Sequence, residues 1–98
     1  MKSFNELIKE SKPVLVDFYA SWCGPCRVMS TVVDKLRKEL GDKVTIVKVD
    51  VDEEEELSLQ YNVQSVPTLI IFKNGELLWR ETGIHQYHEL KHILEKYC

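Results

Sequence analysis

The stretch Val14-Leu15-Val16-Asp17-Phe18-Tyr19-Ala20-Ser21-Trp22-Cys23-Gly24-Pro25-Cys26 decides the reading of this 98-residue chain. Its first six residues form a nearly unbroken apolar run, too short to favour a helix, and predict a central strand buried on both faces. A carboxylic acid, Asp17, interrupts the run. The strand leads directly into a Cys-x-x-Cys sequence, and Pro25 suits the first turn of a helix, where a missing N–H costs nothing. Behind it, Val28, Met29, Val32, Val33, Leu36 and Leu40 fall within an arc of about 140° at helical spacing. Gly41 is a natural stop for that helix.

Upstream, Ser3-Phe4-Asn5-Glu6 reads as a capping box that opens a short helix over residues 3–11, with Pro13 ending it. Downstream, 44–49 reads as a strand and Asp52 with Glu55 as the cap of a third helix closed near Asn62. Leu69–Phe72 and Leu77–Arg80 flank Lys73-Asn74-Gly75-Glu76, a hairpin signal. A last helix carries Leu90, Ile93, Leu94 and Tyr97 on one stripe. The order α-β-α-β-α-β-β-α implies a parallel crossover followed by an antiparallel pair, in a single domain spanning 1–98.

Composition narrows the function. Hydrophobic residues at 44% and charged residues at 30% are ordinary for a globular chain and exclude a disordered tail. Thirteen basic against 16 acidic residues, net −3, argue against a dedicated nucleic-acid binder. No apolar run reaches the roughly 18 residues of a membrane span, and residues 1–6 show no export signal. A cytoplasmic, monomeric protein is expected. The run Glu53–Glu56 reads as a solvated helix start, where the dipole favours anions.

Chemistry concentrates at the cysteines. A Cys-x-x-Cys pair at a helix N-terminus brings two sulfurs within bonding distance, so they can alternate between dithiol and disulfide. Cys23, at the cap, faces unsatisfied amides and the positive end of the dipole, which stabilise its thiolate. Cys26 lies a turn inward and is expected to be the more buried. Position therefore makes Cys23 the attacking and Cys26 the resolving thiol. Zinc would need four ligands, and His85, His88 and His92 lie on a stripe about 190° from the packed face of the last helix, so no metal is expected. Cys98, at the end of the sequence, reads as an incidental exposed thiol. Asp17, in a buried strand, should have a raised pKa and act as a proton acceptor.

The segment Val16–Cys26 resembles the active-site segment of thioredoxins. Val66-Pro67-Thr68, then Phe72-Lys73-Asn74-Gly75, then Gly83, match that family in order and spacing, and the resemblance covers the chain from Ser3 onward. It implies an α/β thioredoxin fold, a central mixed four-stranded sheet flanked by helices with the family's first strand missing and the 44–49 strand at an edge. It implies a protein-disulfide reductase working by a Cys23–Cys26 cycle, in electron transport and cell redox homeostasis, with no cofactor on the chain. Clients would be disulfide-containing proteins, and a flavin-containing, NADPH-dependent thioredoxin reductase would recycle it. Asp17 would assist deprotonation of Cys26 with Lys48 nearby. The Val66–Pro67 bond would be cis, the Val66 backbone would pair with extended substrate, and Trp22, the Gly24-Pro25 spacer, Val51, Val66, Pro67, Gly83 and Ile84 would form the substrate surface. A disulfide isomerase or oxidant, and a redox-gated binding module, are the alternatives. Three departures stand out. The first helix starts near Ser3, so the family's first strand is expected to be missing; Thr31 occupies a proline position in the active-site helix, so the usual kink is expected to be weak or absent; and Tyr19 replaces a tryptophan. Lys43 and Lys48 would discourage pairing at the exposed edge.

Overall fold

The computed structural model describes residues 2–98. Its elements run α1 (Phe4–Leu7), β1 (Val14–Tyr19), α2 (Gly24–Leu40), a 3-10 turn (Gly41–Lys43), β2 (Thr45–Asp50), α3 (Glu55–Gln60), β3 (Thr68–Lys73), β4 (Glu76–Thr82) and α4 (Tyr87–Glu95). The four strands form one sheet in the order β2-β1-β3-β4. β1 pairs parallel with β2 and antiparallel with β3, and β3 pairs antiparallel with β4, so the sheet is mixed as expected. β2 lies at an edge, and no strand precedes β1 among the described residues.

Alternation along the strands divides the core into two layers. Leu15, Leu69 and Ile71 face α2 and α4, where they pack with Met29, Val33, Leu36, Leu90 and Leu94. Val14, Val16, Phe18, Ile70 and Phe72 face the other way, against Phe4, Ile8, Leu57 and Tyr61. Tyr61 closes that layer by meeting the rings of Phe4, Phe18 and Phe72 at 5.7, 6.3 and 5.4 Å between centroids. The same period places Asp17 on the Leu15 face, beneath α2. Ile46 packs into that layer too, so Lys48, two residues on, shares the face.

Local signals explain most boundaries. The Ser3–Glu6 capping box is formed in both directions. Asn74 and Gly75 both take positive φ, 54° and 82°, which a two-residue turn between right-twisted strands requires. Asn62 closes the α3 region at φ 51°. Gly41 caps α2 at φ 51°.

Four expectations are corrected. The first helix is four residues long rather than reaching residue 11. Past Leu7 the turn tightens to bonds three residues apart, from the Lys9 amide to the Glu6 carbonyl at 3.2 Å and from the Glu10 amide to the Leu7 carbonyl at 3.3 Å, and the carbonyls of Ile8 and Glu10 accept from the hairpin amides of Gly75 and Asn74, both at 2.9 Å. Asp52 does not cap the third helix, which begins at Glu55. The turn before it is built by Asp50 instead, whose carboxylate accepts from the Asp52 amide and whose carbonyl accepts from Glu53 and Glu54. Val28, read into the apolar arc of the active-site helix, is 49% exposed. His85 precedes α4 rather than lying on its outer stripe, and its half-buried ring meets Trp79 edge-on at 5.5 Å. His88 and His92 are exposed as expected.

Candidate active site

After β1 the chain closes a turn through the Cys23 amide, which donates to the Ala20 carbonyl at 3.2 Å. Cys23 thereby becomes the N-cap of α2, in extended conformation, with Pro25 in the first turn. Its Sγ accepts a hydrogen bond from the Cys26 amide at 3.1 Å. The two cysteines form a disulfide, with Cα atoms 5.2 Å apart. The amide that contacts Cys23 Sγ is one that α2 itself cannot satisfy, and the same donor would serve a thiolate once the bond opens. Cys23 is 4% exposed and Cys26 3%, so the expected difference in burial is not present. The bond ties the sulfurs together under one cover of Ala20, Tyr19, Val51 and Val66.

Asp17 is only 1% exposed, and its Oδ1 has no hydrogen-bond partner among the described residues. Burial pushes its carboxyl up to about 6; the Lys48 ammonium opposes the rise and the Asp34 carboxylate adds to it. A pocket of about 220 Å³ connects the parts, lined by Asp17, Tyr19, Ala20, Ser21, Cys26, Arg27, Ser30 and Lys48. The acid and the inner cysteine thus share one small cavity, large enough for water. Lys48 is the parallel-register neighbour of Asp17, yet its ammonium donates to Ser30 Oγ at 2.8 Å and Asp34 Oδ1 at 2.9 Å.

Around the disulfide lies an open apolar rim. Trp22 is 70% exposed, which excludes a core-packing role, and its Nε1 donates to Asp52 Oδ2 at 2.9 Å. Trp22, Val51, Val63, Gln64, Ser65 and Val66 line a second pocket of about 140 Å³. The Val66–Pro67 bond is cis. The Val66 carbonyl oxygen lies 3.8 Å from Cys23 Sγ. Pro67 is buried, and its carbonyl accepts from the Gly83 amide at 2.9 Å, which holds Gly83 (φ 85°) beside the loop. Ile84 is 53% exposed next to it. Gly24 and Pro25 are exposed at the helix start.

Known proteins agree with this geometry. The family model described as Thioredoxin matches residues 1–96. The chain belongs to the thioredoxin family. It is 42% identical over 90 residues to a thioredoxin of Rickettsia bellii (strain RML369-C), covering 91% of this chain and 86% of the relative. A mutant thioredoxin from Halobacterium salinarum NRC-1 superimposes with a TM-score of 0.86 at 36% identity, covering 95% of this chain and 80% of that one. The oxidized form of mitochondrial thioredoxin 3 from Saccharomyces cerevisiae gives 0.84 at 33% identity, covering 95% and 86%. With its cysteine pair at bonding distance at the head of α2, this thioredoxin-family chain is a thiol–disulfide oxidoreductase that reduces protein disulfides.

Sequence reading missed three residues that the thioredoxin frame brings to the site. Ser30 and Asp34 stand four positions apart on α2, the spacing that puts two side chains on one face, and together they hold Lys48. Asp52 anchors Trp22 instead of capping a helix. Thr31, in the position of the family's proline, donates its hydroxyl to the Arg27 carbonyl at 3.4 Å, and α2 runs through it without interruption. Among the described residues no group of three or more His, Cys, Asp or Glu stands together to hold a metal, and no helix is long and apolar enough to cross a membrane. Cys98 is exposed, with its Sγ donating to the Leu94 carbonyl at 3.5 Å.

Proposed function

We propose that Cys23 is the nucleophile and Cys26 the resolving thiol of a two-step exchange. The Cys23 thiolate attacks one sulfur of a client disulfide, forms a mixed disulfide and expels one client thiolate. Asp17 takes the Cys26 proton through the shared pocket. The Cys26 thiolate then attacks Cys23 Sγ and expels the second client thiolate. Two electrons pass to the client, whose thiolates take up protons, and the Cys23–Cys26 disulfide remains. The observation that carries this assignment is Cys23 at the cap of α2, its sulfur already accepting an inward-pointing amide.

Asp17 suits the base role because a carboxyl pushed up to about 6 is a better proton acceptor near neutrality than an ordinary aspartate. Lys48 supplies the positive charge that limits this rise. Trp22, Gly24, Pro25, Val51, Val66, Pro67, Gly83 and Ile84 form the surface that receives the client. An extended client segment would pair with the Val66 backbone, a form of strand addition. Recycling of the disulfide requires a two-electron donor, and family membership makes a flavin-containing, NADPH-dependent thioredoxin reductase the partner to test. The chain would act as a monomeric single domain over 1–98 in the cytoplasm, as an electron carrier in cell redox homeostasis.

The experiment is trapping. Cys26→Ser incubated with a disulfide-containing protein should accumulate a mixed disulfide, mapped to Cys23 by peptide mass spectrometry. A mixed disulfide that formed only through Cys26, seen with Cys23→Ser and not with Cys26→Ser, would reverse the two roles.

A further inference from the structure

Lys48 and Asp17 are neighbours in the parallel register of β1 and β2, on the face that α2 covers. An ammonium free to choose would close on the buried carboxylate, because attraction strengthens where water is scarce. Instead its hydrogen bonds go to Ser30 Oγ at 2.8 Å and Asp34 Oδ1 at 2.9 Å, on the rim of the pocket. Asp17 Oδ1 is left without a hydrogen-bond partner among the described residues. Asp34 is half exposed and Lys48 mostly covered, so the pair sits at the boundary between solvent and cavity. Arg37, 3.8 Å from Asp34, steadies the same carboxylate from the outer face of α2.

We propose that Asp34, assisted by Ser30, is a positioning residue that draws the Lys48 ammonium away from Asp17 and so preserves Asp17 as a proton acceptor for Cys26. The inference rests on the reading of Asp17 given above. A lysine bonded directly to Asp17 would stabilise the carboxylate and weaken it as a base, and it would also fill the passage between the acid and Cys26. Held at the rim, it moderates the cost of burying Asp17 without abolishing its proton affinity. Asp34 is suited to this task because the Lys48 hydrogen bond keeps its own carboxyl below the usual range, so it stays charged wherever Asp17 titrates. The charged and titratable groups around Asp17 are Lys48 from β2, Tyr19 from β1, and Cys26, Arg27 and Asp34 from α2.

The test is the titration of the Asp17 carboxyl, followed by carbon-13 NMR in the oxidised full-length chain, where neither active-site cysteine titrates. In Asp34→Asn, Lys48 is released toward Asp17 and the midpoint should fall by about one pH unit. Ser30→Ala should move it the same way by less, and Asp34→Glu should restore it. In a Lys48→Met background, Asp34→Asn should shift the midpoint much less, because the part carried by the lysine is gone. An unchanged midpoint in Asp34→Asn, or an equal displacement with and without Lys48, would overturn the proposal. Neither result touches the base role itself, which is read separately from the rate of Asp17→Asn in disulfide reduction.

Discussion

Replacing Asp17 with asparagine should stabilise the oxidised protein at neutral and alkaline pH and do far less so in acid. In the fold the carboxyl holds its proton up to about 6, against 3.8 for an ordinary aspartate. Between those two values the folded state binds more protons than the unfolded chain, so stability falls as pH rises through the window. The direction is opposite to that of a salt-bridged aspartate, whose stabilisation disappears in acid. A difference of roughly two units at 1.36 kcal/mol each gives about 3 kcal/mol of destabilisation, complete by about pH 8 and absent below about pH 3. Asparagine is close in shape and cannot ionise, so the difference between parent and variant should grow by about 3 kcal/mol from pH 3 to pH 8. Urea titrations at both pH values read this directly; at a slope of about 1.5 kcal/mol/M it corresponds to a midpoint change of about 2 M. Every other titrating group is common to both proteins and cancels. A difference that stayed constant from pH 3 to pH 8 would refute the buried, ionisable Asp17 on which the proposed mechanism depends.

Other expectations follow from packing and geometry. Leu36, fully buried where α2 joins the core layer of Leu15, Leu69, Ile71, Leu90 and Leu94, should cost about 2–5 kcal/mol when cut to alanine, read as a lower urea midpoint. Gly83→Ala should cost about 1 kcal/mol from its backbone alone, since φ is 85° while an added Cβ would meet open space among the described residues. Calorimetry would show it as a lower Tm, and an unchanged Tm would mean the loop adapts freely. Asp52→Ala removes the acceptor of the Trp22 indole and should lower the fluorescence anisotropy of Trp22 in a Trp79→Phe background, with a stability change of no more than about 1 kcal/mol.

Much of the fold is legible because local chemistry and global packing agree. An apolar run could only be a central strand, and Asn74-Gly75 could only be a tight turn. Asn62 closes its segment in the left-handed region, as its side chain permits. The cysteine pair is legible for the same reason: its placement after a strand and at a helix cap is a local fact. What escaped the sequence depends on partners distant in the chain. Asp52 carries the same signal whether it caps a helix or accepts from Trp22, 30 residues away. Past α1 the carbonyls of Ile8 and Glu10 are taken up by the hairpin's amides, and nothing in residues 3–11 announces that docking. Ser30 and Asp34 look like ordinary exposed helix residues until β2 brings Lys48 to them. The matched burial of Cys23 and Cys26 likewise comes from the loops around Val51 and Val66 closing over both sulfurs.

Insulin reduction with dithiothreitol as the recycling reagent tests the exchange cycle most directly. The parent chain should accelerate precipitation of the reduced insulin chain well above the rate of dithiothreitol alone, and Cys23→Ser should fall to that background. Full activity in Cys23→Ser would show that the electrons reach the client by some route other than the capped sulfur of α2.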